Sequence, residues 1–183
     1  MSGINDEVAI IDIEASGLGP DCYPIELGWA LPDRKAHGSV LIRPASPWYA
    51  RPWDPAAERL HGITRDTLDA HGVAPERALE TFLQAVAGRR WLLSDGLSTD
   101  RTWLEQLFAA AGRRDFRVNM LGQGVGPGFR LIDLDGVLLG YTTSKRLATL
   151  RARWREADPV VPHRAGPDAA RLSELLRRVQ RGR

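Results

Sequence analysis

The sequence predicts a single domain of the α/β or α+β class. Three strand-like segments lead the chain, and helical segments then alternate with further strand-like ones. Its 183 residues match the usual span of one domain, about 100–200 residues. No linker, internal repeat or low-complexity stretch divides residues 1–183.

Residues 8–13 form an apolar, β-branched run interrupted by Asp12, and residues 25–31 and 39–42 read as two more strands of a hairpin-rich sheet. Pro44, Pro47, Pro52 and Pro55 mark a loop. Residues 75–87 read as a helix, with proline in its first turn and Gly88 at its end. Residues 91–94 are a short strand candidate. Ser98 or Thr99 can then cap a helix over residues 100–111 that Gly112 closes. Residues 116–120 are another strand candidate. Residues 121–129, with four glycines and a proline, read as a loop, and residues 131–141, 145–156 and 167–180 read as helices.

Composition excludes several classes. Hydrophobic residues at 43% and charged residues at 26% are ordinary for a globular protein, which rules out disordered and fibrous chains. No apolar run reaches the length of a membrane span, and the first residues lack the pattern of a cleaved leader, so no membrane partner is expected. A single cysteine, Cys22, excludes an internal disulfide and cysteine-based zinc sites, and a cytoplasmic location is the expectation. The net charge of +2 hides an asymmetry: residues 1–31 carry six acids and no Lys or Arg, whereas residues 145–183 carry eleven bases against four acids. Twenty-three of the 25 bases are arginine, whose planar fork suits phosphate. Arg146, Arg151, Arg153 and Arg155 fall on one predicted helix and Arg171, Arg177 and Arg178 on another. An acidic start and a basic end fit a metal site beside a groove for a polyanion, and equally a chain that uses arginine for every surface cation.

Asp12 and Glu14 stand two apart on the first strand, so both carboxylates leave the same face. Such a pair at the end of an apolar strand is costly unless water or a hard cation meets it. Asp100 opens a middle helix, and His163 and Asp168 open the last one, positions where an acid also gains from the helix dipole. The order of these residues separates them from chance: acid-x-acid, a mid-chain acid, then His-x4-Asp.

In that order the motifs resemble the DEDDh 3′-to-5′ exonucleases. The first motif is similar to Asp12-Ile13-Glu14-Ala15-Ser16-Gly17-Leu18, the second to the stretch ending in Asp100 with Leu104 four residues on, and the third to His163-Arg164-Ala165-Gly166-Pro167-Asp168. The family's short HGIT element stands at His61-Gly62-Ile63-Thr64, and Leu131, Ile132, Asp133, Leu147 and Leu150 resemble its region before the third motif. Ala15 replaces a frequent threonine, and Asp95 and Thr99 lie where the family often has an asparagine and an aromatic residue.

The resemblance implies a ribonuclease H-like fold, a mixed β-sheet flanked by α-helices on both sides. It implies two divalent metal ions, Mg2+ or Mn2+, with Asp12 bridging them, Glu14 and Asp168 serving the one that carries the attacking water, and Asp100 the other. His163 would be the general base, a task suited to an imidazole of ordinary pKa about 6.5. Ala15, Leu18, His61 and Ile63 would meet the terminal nucleotides of single-stranded nucleic acid at its 3′ end, releasing nucleoside 5′-monophosphates. A non-catalytic binding module with the same fold is the alternative. DNA or RNA as substrate, and monomer or homodimer as assembly, stay open at this point.

Two other motifs compete. Residues 130–138, RLIDLDGVL, resemble the phosphoaspartate motif of haloacid dehalogenase hydrolases, but only 47 residues follow Gly136, too few for the rest of that domain. The glycines at 122, 124, 126 and 128 lack the spacing of a dinucleotide or P-loop fingerprint.

Overall fold

The computed structural model of the protein describes residues 4–19, 21–120, 123–156 and 163–181. Three strands open the chain, β1 (Val8–Ala15), β2 (Pro24–Leu31) and β3 (Ala36–Leu41), paired antiparallel in sequence order. Further on come β4 (Trp91–Ser94), β5 (Arg117–Val118), β6 (Gly124–Gly126) and β7 (Phe129–Asp133). The spatial order is β3-β2-β1-β4-β7-β6-β5. β1, β4 and β7 run parallel to one another, and β5 and β6 extend the sheet as an antiparallel edge. Helices cover both faces, so the architecture is a mixed seven-stranded sheet between two helical layers.

The alternation along β1 shows how its sequence builds both layers. Ala9, Ile11, Ile13 and Ala15 enter a core with α2 (Arg65–His71), α3 (Pro75–Ala85) and α4 (Leu97–Ala110), which contribute Leu68, Leu79, Phe82, Leu104 and Phe108. Val8 and Ile10 enter the opposite core with α5 (Leu134–Leu139), α6 (Ser144–Glu156) and α7 (Ala165–Arg181), which contribute Leu134, Leu138, Leu147, Leu172 and Leu176. Asp12 and Glu14 continue the row of Val8 and Ile10 after that apolar core ends.

Several expectations needed correction. The proline-marked loop ends in α1 (Pro55–His61), which begins on a proline and is capped by Asp54, whose carboxylate accepts from the Ala56 amide. Thr64 caps α2 in the same way, accepting from Thr67. Residues 124–133 are not loop then helix but the hairpin β6–β7, and the helix starts only at Leu134. Glycine suits that hairpin because rings lie on it: a Cβ on Gly124 would sit 2.6 Å from Phe116 Cζ, and one on Gly126 2.2 Å from Phe129 Cζ. Leu121 and Gly122, also read as loop, lie outside the described residues. The strand expected over 116–120 shrinks to β5, and α4 begins three residues early, with Gly96 rather than Ser98 or Thr99 at its cap. The last helix likewise begins two residues early, at Ala165.

That early start presses the first turn of α7 onto β2. A Cβ on Gly28 would lie 2.1 Å from the Ala165 carbonyl carbon and 2.4 Å from the Gly166 nitrogen, so only glycine admits the helix at this distance. Gly28 is also the cross-strand partner of Asp12, which places the helix start beside the acids of β1. Gly28→Ala is therefore expected to lower stability by about 1–3 kcal/mol, the usual cost of forcing extra volume into a packed site. Denaturant midpoints check this; an unchanged midpoint would mean that α7 does not rest on Gly28.

Candidate active site

The ends of three parallel strands meet here. Ile10 pairs with Leu93 and Leu93 with Ile132, so the chain positions just beyond them bring Asp12 and Glu14, Asp95, and Asp133 to one edge of the sheet. The C-terminal edge of parallel strands is the usual ligand side of such sheets, because the loops that follow diverge there. A cleft of about 810 Å³ opens at this edge. Asp12, Glu14, Asp100, His163 and Asp168 all line it, together with Ala15, Leu18 and His61.

Each element supplies its residue for a local reason. The strand period aims Asp12 and Glu14 together, and Glu14 stands opposite Glu26 of β2. Asp100, in the first turn of α4, is only 3% exposed. Its Oδ2 accepts from the Ser94 hydroxyl at 2.5 Å, and Ser94 Oγ in turn accepts from the Gly96 amide at 3.0 Å. Asp168 Oδ2 accepts from the Arg164 amide at 3.1 Å, as a carboxylate in the first turn of a helix can. His163 precedes α7; its amide donates to the Leu60 carbonyl, and its Nδ1 lies 3.5 Å from Asp168 Oδ2. Glu14, His163 and Asp168 each offer a ligand atom within 4.8 Å of the others.

The acids destabilise one another as anions. Burial, followed by the charges of Asp100, Glu14, Asp168 and Asp95, holds the Asp12 carboxyl well above its ordinary pKa. Burial and the Asp168 and Glu26 carboxylates push Glu14 up to about 7, against a smaller opposing effect of Arg164. Burial pushes Asp100 up to about 8 although the Ser94 hydrogen bond favours its anion. A hard divalent cation relieves this arrangement: oxygen donors predominate and the negative charge is already gathered. The donor set could therefore hold a divalent ion, with Glu14, His163 and Asp168 already bringing a ligand atom each to one place.

The residues expected to meet nucleotides divide into two groups. Leu18, 84% exposed, stands at the cleft mouth, with Leu60 and Trp103 along the wall. His61 is buried, its Nδ1 accepting from the Ile63 amide at 3.0 Å. Ile63 is 1% exposed and packs in the core behind the cleft rather than on its wall. HGIT also has a local function: His61 ends α1, Gly62 takes the left-handed conformation at φ 69° that stops it, and Thr64 starts α2.

Three polar residues of this region stand outside the expected catalytic and nucleotide-contacting set. Asp95 and Arg151 line the cleft, and Arg151 bonds both Asp95 and Asp135. Asp135 belongs to the dehalogenase-like stretch, whose other acid, Asp133, caps α5 by accepting from the Gly136 amide at 2.7 Å. Strand ending, helix capping and an ion pair thus account for that motif. The third residue is Glu26, fully buried and bonded to Arg164, Ala165 and Ser39. Its sequence signal was a lone acid within the apolar run of β2.

No protein-family model matches the chain. No curated protein matches it in sequence either. Its fold matches solved exonucleases. A product-bound exonuclease I superposes with a TM-score of 0.66 over 96% of this chain and 43% of its own, at 15% identity. A full-length 3′-exonuclease superposes with a TM-score of 0.64 over 97% of this chain and 83% of its own, at 18% identity. The zinc-bound E. coli exonuclease I–single-stranded DNA complex gives 0.54 over 73% of this chain and 29% of its own, at 17% identity. The chain thus spans less than half the length of these exonuclease I chains. The shared architecture is the ribonuclease H-like fold. Among the described residues, no helix is long and apolar enough to cross a membrane.

Raised carboxyl pKa values make a signed prediction for the metal-free protein. The folded state holds these protons more tightly than the unfolded chain, so their stabilising effect is complete below the unfolded carboxyl range and fades as pH rises through about 7 and 8. In chelator, the melting temperature should fall from pH 6 to pH 9. Asp12→Asn should raise and flatten that curve, and millimolar Mn2+ should remove the fall in the unsubstituted protein. A melting temperature that is level or rising over this range would contradict the crowding of the acids.

Proposed function

We propose that the protein is a metal-dependent nuclease of the DEDDh type, releasing nucleoside 5′-monophosphates from the 3′ end of single-stranded DNA or RNA. One observation carries the reading: Asp12, Glu14, Asp100, His163 and Asp168, drawn from three distant parts of the chain, line one cleft. Its support from outside the site is the fold shared with exonucleases, one of them solved with single-stranded DNA.

A phosphodiester resists hydrolysis because attack adds negative charge to a group already negative. Two divalent ions, Mg2+ or Mn2+, would supply charge stabilisation at the attacking and leaving oxygens. Asp12, Glu14 and Asp168 would hold one ion and Asp12 with Asp100 the other. His163 would take the proton of the attacking water: with Nδ1 turned toward Asp168, we assign Nε2 as the acceptor. The water oxygen bonds to phosphorus, the bond from phosphorus to the 3′ oxygen breaks, and that oxygen leaves with a solvent proton as the new 3′ end. Leu18 at the mouth would lie against the terminal bases, with Ala15 and His61 beneath and Ile63 supporting His61 from behind.

Arg171, on the cleft wall with its Nη1 3.4 Å from Asp168 Oδ1, and Arg151 give this acidic site a positive margin for a polyanion. Arg177 and Arg178 instead bond Glu174, and the side chain of Arg155 lies outside the described residues.

The test is an end-labelled single-stranded oligonucleotide with Mg2+ or Mn2+. Mononucleotides should appear from the 3′ end, and EDTA should stop the reaction. Cutting of a circular strand, or full turnover in EDTA, contradicts the proposal. His163→Ala should slow hydrolysis by about 10²- to 10⁴-fold while leaving oligonucleotide binding intact, the span expected of a lost general base. Full activity in that variant would remove His163 from the chemistry.

A further inference from the structure

We infer that Glu26, a residue outside the five catalytic positions, is the positioning residue that sets His163 and Asp168 over Glu14. The inference rests on the nuclease reading for its kinetic consequence and on geometry for its existence. Glu26 lies on β2 directly across from Glu14, and it is wholly buried. A buried carboxylate is costly unless hydrogen bonds satisfy it, and here four donors do so. Arg164 gives a two-pronged pair, Nε to Oε2 at 2.9 Å and Nη2 to Oε1 at 2.8 Å. The Ala165 amide donates to Oε2 at 3.0 Å, and the Ser39 hydroxyl to Oε1 at 2.8 Å.

Three of these four donors belong to Arg164 and Ala165, the residues that follow His163. Ala165 opens α7, and the Arg164 amide donates to Asp168. One carboxylate on the sheet therefore holds the side chain of Arg164 and the backbone of Ala165. Arg164 in turn holds Asp168 through its amide. Gly28 and Gly166 admit the helix start, and Glu26 fixes its rotation and height. Partners of this kind, one bond removed from a metal's ligands, typically change metal affinity or activity about 10- to 100-fold when they are replaced.

The experiment compares Glu26→Gln, Arg164→Lys and Arg164→Met with the unsubstituted chain, well below each melting temperature. Glu26→Gln keeps the shape but not the charge, and Arg164→Lys keeps the charge but not the fork. Each is expected to lower kcat about 10- to 100-fold with KM within about twofold, and to weaken Mn2+ binding, read by calorimetry without nucleic acid, by about 10-fold or more. The double variant Glu26→Gln/Arg164→Met should be no worse than Glu26→Gln alone, because the pair acts as a unit. If Glu26→Gln does not fold, the two Arg164 variants, altered at a half-exposed side chain, carry the test. Variants that melt earlier but keep Mn2+ affinity and kcat within about twofold would overturn the inference, since they would show a scaffold contact only. If the unsubstituted chain binds Mn2+ but hydrolyses nothing, the nuclease reading fails alone. The Mn2+ affinities of the variants then decide Glu26.

Discussion

Mutual repulsion of carboxylates in a desolvated place is the constraint around which this molecule is arranged. Asp12, Glu14 and Asp100 would each be more stable in water, yet burial and their neighbours hold all three above the ordinary carboxyl range. A fold keeps such a cluster only where other interactions over-determine it. Two apolar cores supply them: β1 is locked on one face by α3 and α4 and on the other by α5, α6 and α7, so its last acids have no freedom to turn away. The divalent charge that the cluster invites is thus matched by a rigid frame, the arrangement that a preorganised site requires.

Two approaches to the sheet complete the frame. α4 brings Asp100 in from one layer, fixed by the Ser94 hydroxyl at the end of β4. α7 brings His163 and Asp168 in from the other, seated on Gly28 and tied to Glu26. The acids from β1 lie between them, so no single element contains the site. Cations enter the same scheme: Arg164 neutralises the buried Glu26, and Arg151 spans Asp95 and Asp135 at the far side of the cleft. Much of the arginine in the C-terminal third accordingly holds acids in place.

The acid-x-acid of β1 was legible because the strand period and the cost of charge in an apolar run together demand a reason for it. The last helix was legible from its apolar spacing, though its first turn was not: the bonds from Glu26 to Arg164 and Ala165 come from a residue 138 positions away in sequence. Residues 131–133 were read as helix because a short apolar run fits either period; pairing with β4 decides for strand. The glycines of β6 signalled a loop, whereas they make room for Phe116 and Phe129. α1 and α2 carried Asp54 and Thr64 as caps, but seven-residue helices offer too few turns for a periodic signal. Of the site, the strand period marked Asp12 and Glu14, whereas Asp100, His163 and Asp168 stood out through the order of the motifs and the resemblance to the DEDDh exonucleases. The contacts of Asp95, Arg151 and Glu26 could not be read, since they depend on which strands and helices become neighbours.

Anomalous scattering from crystals soaked in Mn2+, with a non-hydrolysable single-stranded oligonucleotide bound, would locate the ions and the 3′ end together. Manganese is expected among Asp12, Glu14 and Asp168, with a second peak toward Asp100 and the 3′-terminal phosphodiester beside them, His163 facing the phosphorus. Manganese absent from this edge of the sheet while the oligonucleotide is bound, or a 3′ end lying elsewhere on the surface, would contradict this arrangement.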